Sequence, residues 1–237
     1  MTPRITAVIP AAGSGRRMGS SSPKQFLLLA GVPVLVHTLR VFDSSPLIHD
    51  VCLVVPPGME PSCRVDVIAA YGLKKVCRIV PGGETRQASV YQGLMNTSPE
   101  TDWIVVHDGV RPFLSADLLR WLLEAAKDGT GVIAAMPLKD TPKEIREDGT
   151  IVSTPDRARL VLAQTPQVFS RKVLMEAHQK AYADGVLGTD DSALVERLGH
   201  PVRMIEGNWD NIKITTPEDL RWAERILEMR QPGIGRK

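Results

Sequence analysis

The amino-acid sequence predicts an α/β protein built on a mostly parallel sheet with helices on both faces. Three observations carry this reading. Short apolar, β-branched runs without polar alternation recur along the chain, as strands buried on both faces do. Segments with helical spacing of apolar residues separate them. The rhythm breaks once, between about residues 138 and 164, in a stretch of charged and turn residues.

Ile5–Pro10, Val51–Val55, Val76–Val80, Trp103–His107 and Gly131–Met136 read as strands joined by right-handed crossovers. Ala88, Tyr91 and Met95 define one helical face; Leu118, Leu119, Leu122, Leu123 and Ala126 define the next. Inside the break the apolar runs are Ile151-Val152 and Leu160–Ala163, and Glu147-Asp148-Gly149-Thr150 spells a hairpin turn. A two-stranded excursion buries little by itself. It is expected to dock on a second subunit, with a solvated hairpin as the alternative. Helical patterning resumes at Arg171–Gly185 and near Ser192–Leu198, and Val202–Ile205 and Ile212–Ile214 read as late strands. Thr216-Pro217-Glu218-Asp219 is a helix start, with Thr as cap and acids at the positive end. The tail, Gln231–Lys237, reads as frayed.

The 237 residues fit one α/β domain. Lys and Arg number 29 and Asp and Glu 27, a net charge of +2 that argues against a dedicated nucleic-acid binder. Cys52, Cys63 and Cys77 form no C-x-x-C pair and read as reduced thiols of a cytoplasmic protein. No stretch approaches the ~20 apolar residues of a membrane span. The Ile5–Pro10 run, followed by Arg16 and Arg17, does not read as a signal peptide.

The first strand ends in Pro10-Ala11-Ala12-Gly13-Ser14-Gly15-Arg16-Arg17-Met18, followed by Pro23-Lys24-Gln25-Phe26. Small residues let backbone N–H groups approach a ligand, and the carboxyl end of a parallel strand is where open α/β sheets bind one. Arg16, Arg17 and Lys24 follow with no acid among residues 11 to 24, so the turn reads as a triphosphate cradle. The dinucleotide pattern would need Gly where Met18 stands, and no Gly-Lys-Ser/Thr triplet follows Gly13. The competing reading is a tight turn with solvated arginines.

These residues resemble the 2-C-methyl-D-erythritol 4-phosphate cytidylyltransferases of the non-mevalonate isoprenoid pathway. The match runs in family order from about Thr6 to Glu228. After the glycine loop come GGETRQASV (Gly82–Val90), HDGVRPF (His107–Phe113), KDTPK (Lys139–Lys143) and DRARL (Asp156–Leu160). QTPQVF (Gln164–Phe169), TDDSALVE (Thr189–Glu196) and DNIKITTPEDL (Asp210–Leu220) complete it. The resemblance implies a Rossmann-like fold with a protruding β-arm at about 138–164, a homodimer held partly by that arm, and cytidylyl transfer from CTP. It also implies a requirement for Mg²⁺ or another divalent cation. Family members often have two small alanines where this chain has Gly109-Val110.

By the same resemblance, Arg17 and Lys24 hold the α-phosphate and stabilise the transition state, each worth ~3 kcal/mol. Ala11, Ala12, Gly13 and Gly15 offer backbone contacts to nucleotide, and Gly82, Gly83, Arg86 and Ser89 match cytosine-side contacts. Asp108, at the carboxyl end of its strand, is expected in the nucleotide site; Mg²⁺ is expected mostly on phosphate oxygens and water. The acceptor phosphate falls to Arg157, Lys213 and Thr141. Lys213, inside an apolar run, needs an anion in any case. His107 reads as a packed neighbour. The rivals are a D-ribitol-5-phosphate cytidylyltransferase, a sugar-1-phosphate nucleotidyltransferase and a silent nucleotide sensor.

Overall fold

A computed structural model describes residues 2–13, 23–126 and 129–230. The chain opens with β1 (Ile5–Pro10), a ribbon of β2 (Leu28–Leu29) and β3 (Val32–Pro33), α1 (Val34–Ser44) and β4 (Asp50–Val55). It continues through α2 (Glu60–Ser62), β5 (Val76–Pro81), α3 (Arg86–Met95), β6 (Trp103–Val106), α4 (Ala116–Ala125) and β7 (Gly131–Pro137). The arm ribbon, β8 (Glu144–Ile145) and β9 (Ile151–Ser153), precedes β10 (Val161–Ser170). Then come α5 (Arg171–Ala183), α6 (Asp191–Arg197), β11 (Val202–Glu206) and α7 (Pro217–Arg230).

Seven strands form one sheet in the order β11-β7-β10-β6-β1-β4-β5. Every pairing is parallel except those of β10, which runs antiparallel to both β6 and β7. Along β4, Val51, Leu53 and Val55 face one core while Cys52 and Val54 face the other. Leu35, Leu39 and Phe42 of α1 and Leu118, Leu119 and Leu122 of α4 fill the first. Val90 and Leu94 of α3, Leu174 and Ala177 of α5, and Leu194 of α6 fill the second. The strands are thus covered on both sides, which is why they lack polar alternation. A third cluster seats α7 on Val110, Phe113 and Ile214 through Ala223 and Ile226.

The expected helix start at Thr216 is present: Asp219 donates its backbone N–H to the Thr216 hydroxyl at 3.3 Å. The hairpin turn is also present, with Gly149 at φ +83°. Three expectations are corrected. Ile212–Ile214 is not a strand; it is an extended segment whose Ile214 N–H donates to the Val110 carbonyl at 2.9 Å. The buried face of α3 is Ser89, Val90, Gly93 and Leu94, and Met95 is 54% exposed. A Cβ on Gly93 would lie 2.5 Å from Val8 and 3.0 Å from Val54, so the helix approaches β1 and β4 through its smallest residue. Finally, β10 occupies residues read partly as irregular. Its register shifts between Ala163 and Gln167, around Pro166, and such an irregularity is what admits proline to an internal strand.

Candidate active site

From β1 the chain builds outward to β4 and β5, then returns to place β6 on the other side of β1. That reversal opens a crevice at the carboxyl ends of β1 and β6, where loops diverge and a ligand can enter. A cavity of about 520 Å³ fills it, lined by Ala11, Ala12 and Gly13 after β1, Gly83, Arg86 and Ser89 after β5, and Asp108 after β6. Lys24 and Lys213 line it as well, so nine of the residues singled out in the sequence meet in one place. Gly15 and Arg17 lie outside the described residues.

Internal hydrogen bonds brace the walls. Ala11 lines the cavity, yet its N–H donates to the Val54 carbonyl at 2.7 Å. The buried Gln25 amide donates to the Ala11 and Gly13 carbonyls at 2.5 and 3.2 Å, pinning the turn. Gly82 is not among the lining residues; it lets two loops touch, because a Cβ there would collide with the Ala12 Cβ. The Gly83 N–H donates to the Ser89 hydroxyl at 3.2 Å, and Thr85 caps α3 by accepting from Ala88 N–H at 3.0 Å.

Asp108 is the electrostatic centre. Its Oδ1 meets Arg86 Nε at 3.1 Å, and its Oδ2 meets Lys213 Nζ at 2.9 Å and Arg111 Nε at 3.4 Å. Burial acts to raise its pKa, but Arg86, Lys213 and Arg111 overcome that and hold the carboxyl well below the usual range. The Asp108 N–H donates to the Thr165 hydroxyl at 3.1 Å, and that hydroxyl meets His107 Nδ1 at 3.1 Å. His107 Nε2 lies 3.0 Å from the Arg111 carbonyl, which can only accept, so the proton sits on Nε2 and Nδ1 accepts from Thr165. Burial lowers the His107 pKa to about 4, which keeps the ring neutral. It serves as a structural neighbour of Asp108, as read from the sequence.

A second cavity of about 230 Å³ shares Arg86, Asp108 and Lys213 with the first and adds Arg111, Gln164, Thr165, Gln167, Thr189 and Asp190. Thr141 and Arg157 line neither cavity. Both are exposed on the arm, and Arg157 Nη1 donates to the Lys139 carbonyl at 2.7 Å. Ile145, Ile151, Val152, Val161 and Leu162 of the arm and its root are also exposed.

The sequence reads Thr189, Asp190 and Asp191 as a helix cap that supports the pocket, and Asp190 does cap α6. It does not single out the other side chains that organise this site, namely Gln25, Thr165, Gln167 and His178. All four are buried. Gln25, Thr165 and Gln167 stand in the strings PKQF and QTPQVF, and a polar residue headed for the interior was the only available signal. Among the described residues, no group of three or more His, Cys, Asp or Glu side chains is placed to hold a metal ion. No helix there is long and apolar enough to cross a membrane.

Comparison with known proteins matches residues 5–229 to the IspD model, 2-C-methyl-D-erythritol 4-phosphate cytidylyltransferase. A protein of that name from Syntrophus aciditrophicus is 48% identical over 99% of this chain and all of its own length. Another, from Geobacter metallireducens, is 48% identical over 96% of this chain and 99% of its own. The crystal structure of 4-diphosphocytidyl-2C-methyl-D-erythritol synthase from Anaerococcus prevotii superposes with a TM-score of 0.85 at 33% identity, covering 96% of this chain and 100% of that one. With its sheet order, its crevice and this likeness along nearly its whole length, the chain belongs to the IspD family of 2-C-methyl-D-erythritol 4-phosphate cytidylyltransferases.

Proposed function

We propose that the protein transfers CMP from CTP to 2-C-methyl-D-erythritol 4-phosphate, giving 4-diphosphocytidyl-2-C-methyl-D-erythritol and pyrophosphate. The observation that carries this is the crevice of an IspD-family chain, where a bare-backbone turn faces Lys24, Arg86 and Lys213. A phosphate oxygen of the acceptor attacks the α-phosphorus of CTP, and the bond from that phosphorus to pyrophosphate breaks. Both reactants are polyanions, so positioning and charge stabilisation carry the rate. Lys24 and Arg17 neutralise the α-phosphate. Ala12, Gly13, Gly83, Arg86 and Ser89 hold the nucleotide, with Gly15 as a further backbone contact, and Ala11 and Gly82 shape the loops.

Lys213 lies where the two cavities meet and holds the acceptor phosphate against the nucleotide. Arg157 and Thr141 are the other phosphate ligands. Their exposed positions favour delivery across a homodimer, with the apolar arm residues covered by a second copy and each site completed by its partner's arm. Mg²⁺ fits as a passenger of the triphosphate: Asp108 already meets three cations, and among the described residues no group of three or more His, Cys, Asp or Glu side chains could cage the ion. When bound, the ion screens phosphate charge. We infer a cytoplasmic setting, in which the three free cysteines stay reduced.

The test is transfer of label from α-labelled CTP to each acceptor supplied separately, with pyrophosphate release recorded in parallel. Product with methylerythritol phosphate supports the assignment. Preference for D-ribitol 5-phosphate, or CTP binding without pyrophosphate release, refutes it.

A further inference from the structure

Arg86 stands in the wall between the two cavities, and its guanidinium is gripped on two edges. Nε donates to Asp108 at 3.1 Å and Nη1 to Asp191 at 2.8 Å, while Nη2 is buried with no hydrogen-bond partner among the described residues. Two carboxylates on different elements fix the plane of the fork, so Asp108 and Asp191 together decide which face of the guanidinium the cavities see.

Asp191 lines neither cavity, and its side chain is 1% exposed. A carboxylate so deep is costly unless fully paired. Its second oxygen meets His178 Nε2 at 3.0 Å, and the His178 ring stacks on Tyr91 at 6.1 Å. The start of α6, which carries Asp191, is itself anchored. Asp190 accepts from Ala193 N–H at 2.9 Å and from the Gln167 amide at 2.7 Å, and Gln87 accepts from Gly188 N–H at 2.8 Å. These contacts tie α6 to β10 and α3, so the carboxylate that grips Arg86 is held on a rigid frame.

We propose that Asp191, backed by His178, is a positioning residue for the nucleotide site: it sets the orientation of Arg86, so CTP affinity depends on a side chain that touches no CTP. The inference rests on the placement of CTP in the larger cavity. It adds a residue pair outside that cavity to the determinants of nucleotide binding.

A double-mutant cycle on the full chain tests it, with CTP affinity read by titration calorimetry in Mg²⁺ buffer and no acceptor. Asp191→Asn is expected to weaken CTP binding about tenfold, the scale of one charge-assisted hydrogen bond. It raises the KM for CTP while kcat stays within about twofold, the pattern of a lost ground-state contact. Arg86→Met weakens CTP at least as much, and adding Asp191→Asn to it brings no further loss, because the tether has nothing left to hold. Unchanged CTP affinity in Asp191→Asn, or losses that add in the double variant, overturns the proposal. Wild-type affinity in Arg86→Met overturns both the proposal and the nucleotide-site assignment. Should Asp191→Asn not fold, His178→Leu runs the same cycle with Arg86→Met, and the same non-additivity decides.

Discussion

The crevice at the ends of β1 and β6 and the arm between β7 and β10 handle charge in opposite ways. In the crevice, Arg86, Arg111 and Lys213 converge on one buried carboxylate, Asp108. On the arm, Arg157 is exposed and turns to a backbone carbonyl of its own chain, among apolar side chains that stand in solvent. The comparison teaches that one chain builds the charged crevice outright. The arm residues Thr141 and Arg157 lie away from its cavities.

The sharpest way to break the comparison is to remove the centre of the crevice. Asp108→Asn leaves three cations facing one another in a buried site and is expected to cost about 3–5 kcal/mol of stability, read from denaturant midpoints. A loss below 1 kcal/mol would mean the cluster is not held by that carboxylate. Next in size is Lys24→Ala, in the lining of the cavity. It is expected to lower turnover by 10²- to 10³-fold, about 3 kcal/mol in the barrier, with the melting temperature unchanged. Wild-type turnover would take the lysine out of the mechanism.

His107 sharpens the crevice side through pH. Its ring titrates near 6.5 when unfolded and near 4 when folded, so the unfolded chain binds the proton first. The stability contributed by neutral His107 is complete above pH 6.5 and is lost as pH falls towards 4, on the order of 3 kcal/mol in all. His107→Gln should flatten that window relative to wild type; identical slopes between pH 7 and 4 would refute the assignment. The smallest effect belongs to the arm. Arg157→Ala should raise the acceptor KM roughly tenfold with no change in stability. Mixing Arg157→Ala with Lys24→Ala subunits should restore activity if arms are exchanged, since one site per mixed dimer then holds both groups. No recovery would return the arm to its own chain.

Much of this was legible from residue order alone. Uninterrupted apolar runs announced buried parallel strands, and Ala11, Ala12, Gly13 and Lys24, singled out around the glycine turn, do line the main cavity. Thr216 and Gly149 announced a helix start and a hairpin. The less legible parts share a cause. β10 contains Gln164, Thr165, Pro166 and Gln167, which break any apolar pattern, and it is a strand because β6 and β7 flank it. Lys213 lies on an extended segment that merely resembles a strand in sequence. Ser89 and Gly93 face the core because a close helix–sheet approach needs small side chains, which hydrophobic periodicity overlooks.

By itself, the sequence determined the α/β class and most of the residues that gather in the crevice, because periodicity and loop chemistry are local properties. Only the tertiary structure decided that Arg86, Arg111 and Lys213 share one carboxylate, that Asp191 stands behind Arg86, and that Thr141 and Arg157 lie off the cavities. Those are relations between side chains up to 105 positions apart, created when strands distant in the chain become neighbours in the sheet.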